Sequence, residues 1–224
     1  MFKKRSRVIL LAISATIIII AAFIIYTYFF SQQGLHVGDQ FTYDIKGFWG
    51  DSSDPDVTPS PSFLELNMTE WFKVTVTEVS EEEVSIDTTW LFNNGTEVKA
   101  TSTINLETGI TYPSEGFWAI YAPNLNKGDY IRPTGPDRST VNETQTRDYG
   151  AGVTRETNLV SLKQEAYDAN DPTYTRTLTE YTNTHFDRQT GMLVELHYVS
   201  VYTNPDMTLT VTWKITDSNV WNIS

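Results

Sequence analysis

Hydrophobic positions along the chain follow two regimes. From Val8 to Phe30, 23 consecutive residues carry neither a charge nor a proline. Beyond Ser31 the dominant period is two. Phe41, Tyr43 and Ile45 alternate with Thr42, Asp44 and Lys46. Val84, Ile86, Thr88, Trp90 and Phe92 fall on one face, with Ser85, Asp87 and Thr89 on the other. The same alternation runs through Val98–Leu106 and Met207–Ile215. Such runs are half-buried strands with one wet face. They predict about ten strands, near residues 40–47, 62–67, 70–79, 83–92, 97–107, 129–132, 139–147, 153–163, 173–186, 191–203 and 207–217, some of them merging.

Turn chemistry makes the strands antiparallel. Asn93-Asn94-Gly95 separates two alternating runs, and Asn-Gly is a strong hairpin signal. Asp187-Arg188-Gln189-Thr190-Gly191 joins the runs on either side of it, with glycine supplying the positive φ that such a loop needs. Clean alternation argues against a doubly covered parallel sheet. The expected fold is all-β: an antiparallel curved sheet or partly closed barrel behind one N-terminal transmembrane helix. The segment Ser114–Pro123 suits either a short helix capped by Ser114 and ended by Pro123, or a buried strand. Its aromatics suit a plug for one end of the sheet. Residues 50–61 read as a proline-rich solvated loop. One echo occurs: Leu35-His36-Val37-Gly38-Asp39 and Leu125-Asn126-Lys127-Gly128-Asp129 share the pattern L-x-x-G-D. It reads as a duplicated half-barrel or as two independent uses of one turn.

The apolar run covers roughly 35 Å as a helix, against a bilayer core of about 30 Å. Tyr26, Tyr28, Phe29 and Phe30 form an aromatic belt at one end. Lys3, Lys4, Arg5 and Arg7 precede the run, and the next basic residue is Lys46. The positive-inside rule then gives residues 1–7 as a cytoplasmic basic tip, 8–30 as a transmembrane signal anchor in the lipid bilayer, and 31–224 as an extracytoplasmic β domain. The competing reading is a cleaved signal peptide, whose apolar stretch is usually about 7–15 residues and ends in small residues. Here the run is longer and the positions before Ser31 are bulky.

Charge sharpens this plan. The chain of 224 residues has 28 Asp+Glu, 16 Lys+Arg and a net charge of −12. Four basic groups lie in the first thirty residues, so the remaining 12 face all 28 acids, a net charge of −16 beyond the anchor. A phosphate backbone is repelled by such a surface, which excludes nucleic acid as a partner. With no cysteine, disulfide scaffolds, thiolate zinc and iron–sulfur sites and cysteine hydrolases are excluded too.

Three stretches together carry a resemblance: Leu35–Tyr43, Ala122–Ile131 and Phe186–Glu195, in this order behind a membrane span. The chain resembles a loose group of uncharacterised archaeal single-pass membrane-anchored surface proteins with a β-rich ectodomain. That resemblance covers most of residues 31–224 and implies no activity. The hairpin around Asp187-x-x-Thr190-Gly191-x-Leu193 is also similar to one in curved-sheet envelope carriers of the LolA and lipocalin-like type.

Catalytic patterns are absent from the sequence. There is no G-x-S-x-G elbow, H-E-x-x-H, P-loop or G-x-G-x-x-G. If the Asp187–Gly191 turn pairs Phe186 with Met192, His185 faces Leu193 and His197 faces Tyr181. The two histidines then stand roughly 13 Å apart, too far to share a metal. Glu195 lies diagonal to His185, as a metal or acid–base pair or as an exposed cross-strand pair. Asp51, Asp54 and Asp56 are a calcium candidate, since hard cations take oxygen ligands, although their spacing is not that of an EF-hand. Glu81-Glu82-Glu83 reads as a solvated turn. Sequons at Asn67, Asn94, Asn142 and Asn222 are acceptors for glycosylation, with Asn94 at a hairpin tip the most accessible. Of the six tryptophans, Trp90 and Trp213 belong to apolar strand faces. Trp49 and Trp221 lie beside loops and are the better candidates for exposure.

The functional expectation is a non-enzymatic, membrane-anchored extracellular binding or structural module of the cell envelope, with an envelope protein or glycan as partner and no cofactor. The alternatives are a carrier holding an apolar, lipid-like ligand within a half-barrel, and a surface hydrolase using paired carboxylates.

Overall fold

Ten strands pair into one antiparallel sheet in the computed structural model, which describes residues 34–50, 58–149, 152–167, 176–203 and 206–223. The strands are β1 (Gln40–Trp49), β2 (Thr69–Val79), β3 (Glu83–Phe92), β4 (Glu97–Asn105), β5 (Thr111–Tyr112), β6 (Glu143–Asp148), β7 (Thr154–Tyr167), β8 (Arg176–Asp187), β9 (Leu193–Thr203) and β10 (Asp206–Ser218). Their order across the sheet is β5-β4-β3-β2-β1-β10-β9-β8-β7-β6. The first and last strands therefore meet in the middle, with Tyr43 opposite Ile215 and Ile45 opposite Trp213. The short strands β5 and β6 form the two edges and the sheet is not closed, so the open alternative of the expected fold holds and the barrel does not. Register shifts in the β1–β10, β2–β3, β7–β8 and β8–β9 ladders bend and twist it.

The expected anchor lies outside the described residues. That covers the topology residues Lys3, Lys4, Arg5 and Arg7, the span 8–30 and the belt Tyr26, Tyr28, Phe29 and Phe30. Asp51, Asp54 and Asp56 lie outside them as well. Among the described residues no helix is long and apolar enough to cross a membrane.

Alternation places one apolar face inward. Phe41, Tyr43 and Ile45 of β1, Phe72, Val74 and Val76 of β2, Val84 and Ile86 of β3 and Ile104 of β4 are buried. Each large side chain removed from water contributes roughly 1.5–3 kcal/mol. The long crossover from β5 to β6 lies over this core. Its Ala119 and Ile120 join the main cluster, while its Tyr121, Ile131 and Val141 build a second one with Val160 of β7 and Phe186 of β8. The stretch 114–123 is thus neither the helix nor the strand expected of it. It docks by an isolated bridge between Ile120 and Met192 and by Tyr121 N–H donating to Gly191 O at 2.9 Å.

Three other expectations change. Residues 62–67 are not a strand but a short helix α1 (Pro61–Glu65) running into a 3₁₀ turn (Leu66–Met68). Pro61 opens that helix, and the Ser60 hydroxyl accepts from Phe63 N–H at 3.3 Å as its N-cap. Residues 129–132 form only an isolated bridge, Tyr130 to Thr140. The two-residue edge strand β5 was not anticipated.

The echo is structural. In both copies the aspartate accepts from the N–H three residues back, Asp39 from His36 at 2.8 Å and Asp129 from Asn126 at 2.7 Å. Gly38 and Gly128 have φ of 94° and 91°. Each glycine donates to a valine carbonyl, Val76 or Val141, and each valine N–H returns a bond to the aspartate carbonyl. A second repeat follows in matching order. Asn105-x-x-Thr108-Gly109 closes β4–β5, and Asp187-x-x-Thr190-Gly191 closes β8–β9. The side-chain oxygen Oδ1 of Asn105 or Asp187 accepts from both the N–H and the hydroxyl of its threonine. The glycine N–H then donates to the backbone carbonyl of the same residue at 2.8 Å in each. The duplicated reading of the echo gains this second, independent pair of matching turns.

Candidate functional site

One groove on the core side of the sheet is lined by aromatic rings. Its floor follows from strand register: Phe72 of β2 stands opposite Trp90 of β3, and Trp90 opposite Val98 of β4. Trp213 of β10 packs edge-on against Phe72 at 5.1 Å between centroids, and Phe72 against Trp90 at 5.5 Å. The crossover supplies the wall. Phe117 lies 5.8 Å from Phe72 and 6.0 Å from Trp213. Trp118 stands at the rim, 46 % exposed, facing solvent together with Val98, 52 % exposed. The wall sits close because residue 116 is glycine: a Cβ there would meet Ser102 Cβ at 2.6 Å. The open cleft has a volume of about 430 Å³, within the range of small-molecule sites.

Polar groups in the groove are few and uncharged except one. Thr88 donates to Ala100 O at 3.2 Å, leaving its hydroxyl oxygen as an acceptor, whereas the Thr101 hydroxyl bonds Asp87 at 2.7 Å on the other face of the sheet. Ser102 adds a hydroxyl and Glu115 an exposed carboxylate; no lysine or arginine lines the groove. Trp90 is held by its own N–H, which donates to Thr69 Oγ1 at 2.9 Å. These residues can bind and orient a ligand.

A second cleft, of about 450 Å³, mixes charged side chains with the apolar Val194, Ile215 and Ile223. Arg147 of β6 donates to Glu195 of β9 at 2.8 Å across it, and Lys214, Asp148 and Tyr149 complete the wall. Arg147 Nη1 and Tyr149 Oη are buried there without a hydrogen-bond partner, as is the adjacent His185 Nδ1. Burial pushes the Tyr149 hydroxyl up and, with help from Arg147, pushes His185 down from the ordinary histidine value. The expected histidine geometry is corrected here. The β8–β9 register shifts between His185 and Phe186, so Phe186 pairs with Leu193, His185 with Glu195 directly and Asn183 with His197. The histidines are two positions out of register rather than four. Among the described residues no group of three His, Asp or Glu side chains is placed to hold a metal ion.

Two cations, Arg132 buried and Arg155 half-buried, hold the crossover and the tail that frame these sites. Arg132 donates to the carbonyls of Leu106, Trp118 and Ile120 at 3.1, 3.0 and 2.6 Å, with its guanidinium 4.6 Å from the Tyr121 ring centroid. Burial draws its pKa down. Arg155 grips the fully buried Asp187 with two nitrogens, at 2.6 and 3.0 Å, and lies 4.3 Å from the Trp221 ring centroid. Sequence reasoning missed both arginines, since each lies in a stretch whose partners are distant in the chain.

The other candidates are placed as follows. Trp49 is exposed as expected, at 42 %, but Trp221 is buried, at 7 %, because Phe41, Tyr149 and Arg155 pack around it. The exposed indole of the groove, Trp118, was not foreseen. Glu81, Glu82 and Glu83 are exposed at the β2–β3 turn. Asn67, Asn94, Asn142 and Asn222 are all exposed. The Asn67 and Asn142 side chains accept from Gly47 and Ser161 N–H, whereas Asn94 sits at the β3–β4 tip with only a local bond from Thr96 N–H. No protein-family model matches the chain, and no curated protein matches it.

Proposed function

We propose that this chain is a non-enzymatic binding module of the cell envelope, held by residues 8–30 in the membrane with its β domain outside, and that the aromatic groove is its binding site. The groove carries the reading. Five aromatic rings from four separate elements, Phe72, Trp90, Trp213, Phe117 and Trp118, converge on one open cleft, and apolar surface left in such a cleft is stabilised by an occupant. The anchor rests on the uncharged 23-residue run and the basic residues before it. An archaeal-type surface protein fits the same plan.

Location is tested by protease shaving of intact cells. Loss of residues 31–224 with the N-terminal tip protected supports the topology; full protection of the domain refutes it. Binding is tested by tryptophan emission of the full-length chain, which a groove ligand shifts at lower concentration in the wild type than in Trp118→Ala. The carrier reading is favoured by the same groove alone, because the crossover packs Ile120, Tyr121 and Ile131 into the rest of the core.

A further inference from the structure

We infer that the aromatic groove takes a neutral saccharide, an assignment that rests on the groove being the binding site proposed above. Charge excludes anionic ligands first. No lysine or arginine lines the cleft, Glu115 stands at it, and the chain carries a net charge of −12. A fatty-acid carboxylate, a phospholipid headgroup or an acidic polysaccharide meets repulsion there and no counter-charge. Shape separates the neutral candidates. An alkyl chain needs an enclosed aliphatic tunnel that removes most of its surface from water. This groove is open to solvent, and its walls are flat rings. A pyranose has an apolar C–H face and a rim of hydroxyls. The indole of Trp118, with Trp90 and Trp213 behind it, meets the face. The oxygens of Thr88 and Glu115 accept from the rim.

The test uses the full-length chain in lipid nanodiscs, titrated separately with cellohexaose, maltohexaose, chitohexaose and dodecanol while tryptophan emission is read. The wild type is compared with Trp118→Ala, Trp118→Phe and Tyr112→Ala; Tyr112 is exposed and outside the groove. The expected result is saturable binding of at least one hexasaccharide. Trp118→Ala should weaken it about tenfold or more, Trp118→Phe should retain most of it, and Tyr112→Ala should change nothing. Saturable binding of dodecanol alone, lost in Trp118→Ala, overturns the saccharide assignment and leaves the binding site standing. Saccharide binding that Trp118→Ala does not weaken overturns the groove as its location. Silence from all four probes overturns both readings.

Discussion

Gly191 lies directly against the main chain of Tyr121: a Cβ on residue 191 would stand 1.9 Å from the Tyr121 carbonyl oxygen. Residue 191 also has φ of 77°, a conformation that side chains resist. Gly191→Ala is therefore expected to lose on the order of 2–4 kcal/mol. Gly38→Ala, with φ of 94° but nothing within 4 Å, should lose only about 1 kcal/mol. Denaturant unfolding followed by near-UV circular dichroism compares them. Equal losses would show that the crossover does not press on the β8–β9 turn.

Arg132 replaces a ladder of backbone bonds for the crossover. Arg132→Met strands the Leu106 and Ile120 carbonyls, while Trp118 O keeps the Ile120 N–H, and should lose on the order of 3 kcal/mol. Arg132→Lys keeps the charge without the planar fork, so it should recover only part of that loss. Limited proteolysis at Lys127 and Arg138 reports the loosening. Unchanged cleavage in Arg132→Met would argue that packing alone holds the segment.

The two Thr-Gly turns are the same in hydrogen bonding but differ in charge. Asp187→Asn preserves the acceptor for Thr190 yet takes the counter-charge from Arg155, whose side chain is 17 % exposed. A loss of roughly 2–4 kcal/mol is expected. Asn105→Asp preserves its turn, where Arg132 bonds the Leu106 carbonyl rather than the side chain of residue 105, and should stay within about 0.5–1 kcal/mol of wild type. Thermal unfolding of the pair decides; similar melting points would mean that the ion pair adds nothing.

His185 makes stability depend on pH. Burial first, then Arg147, hold its pKa below the ordinary value of 6.5, against the opposing pull of Glu195 and Glu143. The folded chain binds this proton less readily than the unfolded one. The contribution is therefore intact above pH 6.5 and is lost as pH falls from there through the folded value. Stability measured across that window should fall less steeply in His185→Gln than in wild type. Parallel curves would remove His185 as the source.

Much of the sheet was legible because side-chain alternation has a period of two and turns need particular residues. Runs such as Val84–Phe92 declare both their faces and their ends. Helix α1 was not legible, since five residues give no helical period. The crossover was opaque for a different reason. Its backbone is satisfied by Arg132, by one bridge to Met192 and by turns, none of which leaves a periodic trace. The groove inherits both difficulties. Trp90 and Trp213 announce themselves on strand faces, whereas Phe117 and Trp118 are brought to them by a segment without a pattern. The His185–Glu195 pairing was missed by two residues, because the turn pairs Phe186 with Leu193 rather than Met192 and the register shift between His185 and Phe186 then skips Val194.

Pairing the two ends of the chain at the centre of the sheet governs how it can be made. Residues 40–49 wait for residues 206–218 before their second neighbour exists, so the middle ladder zips last during synthesis. A product stopped before residue 206 would lack a spine rather than a margin. Two separate hairpin wings would remain, each with a long unpaired strand, β1 or β9, inviting aggregation.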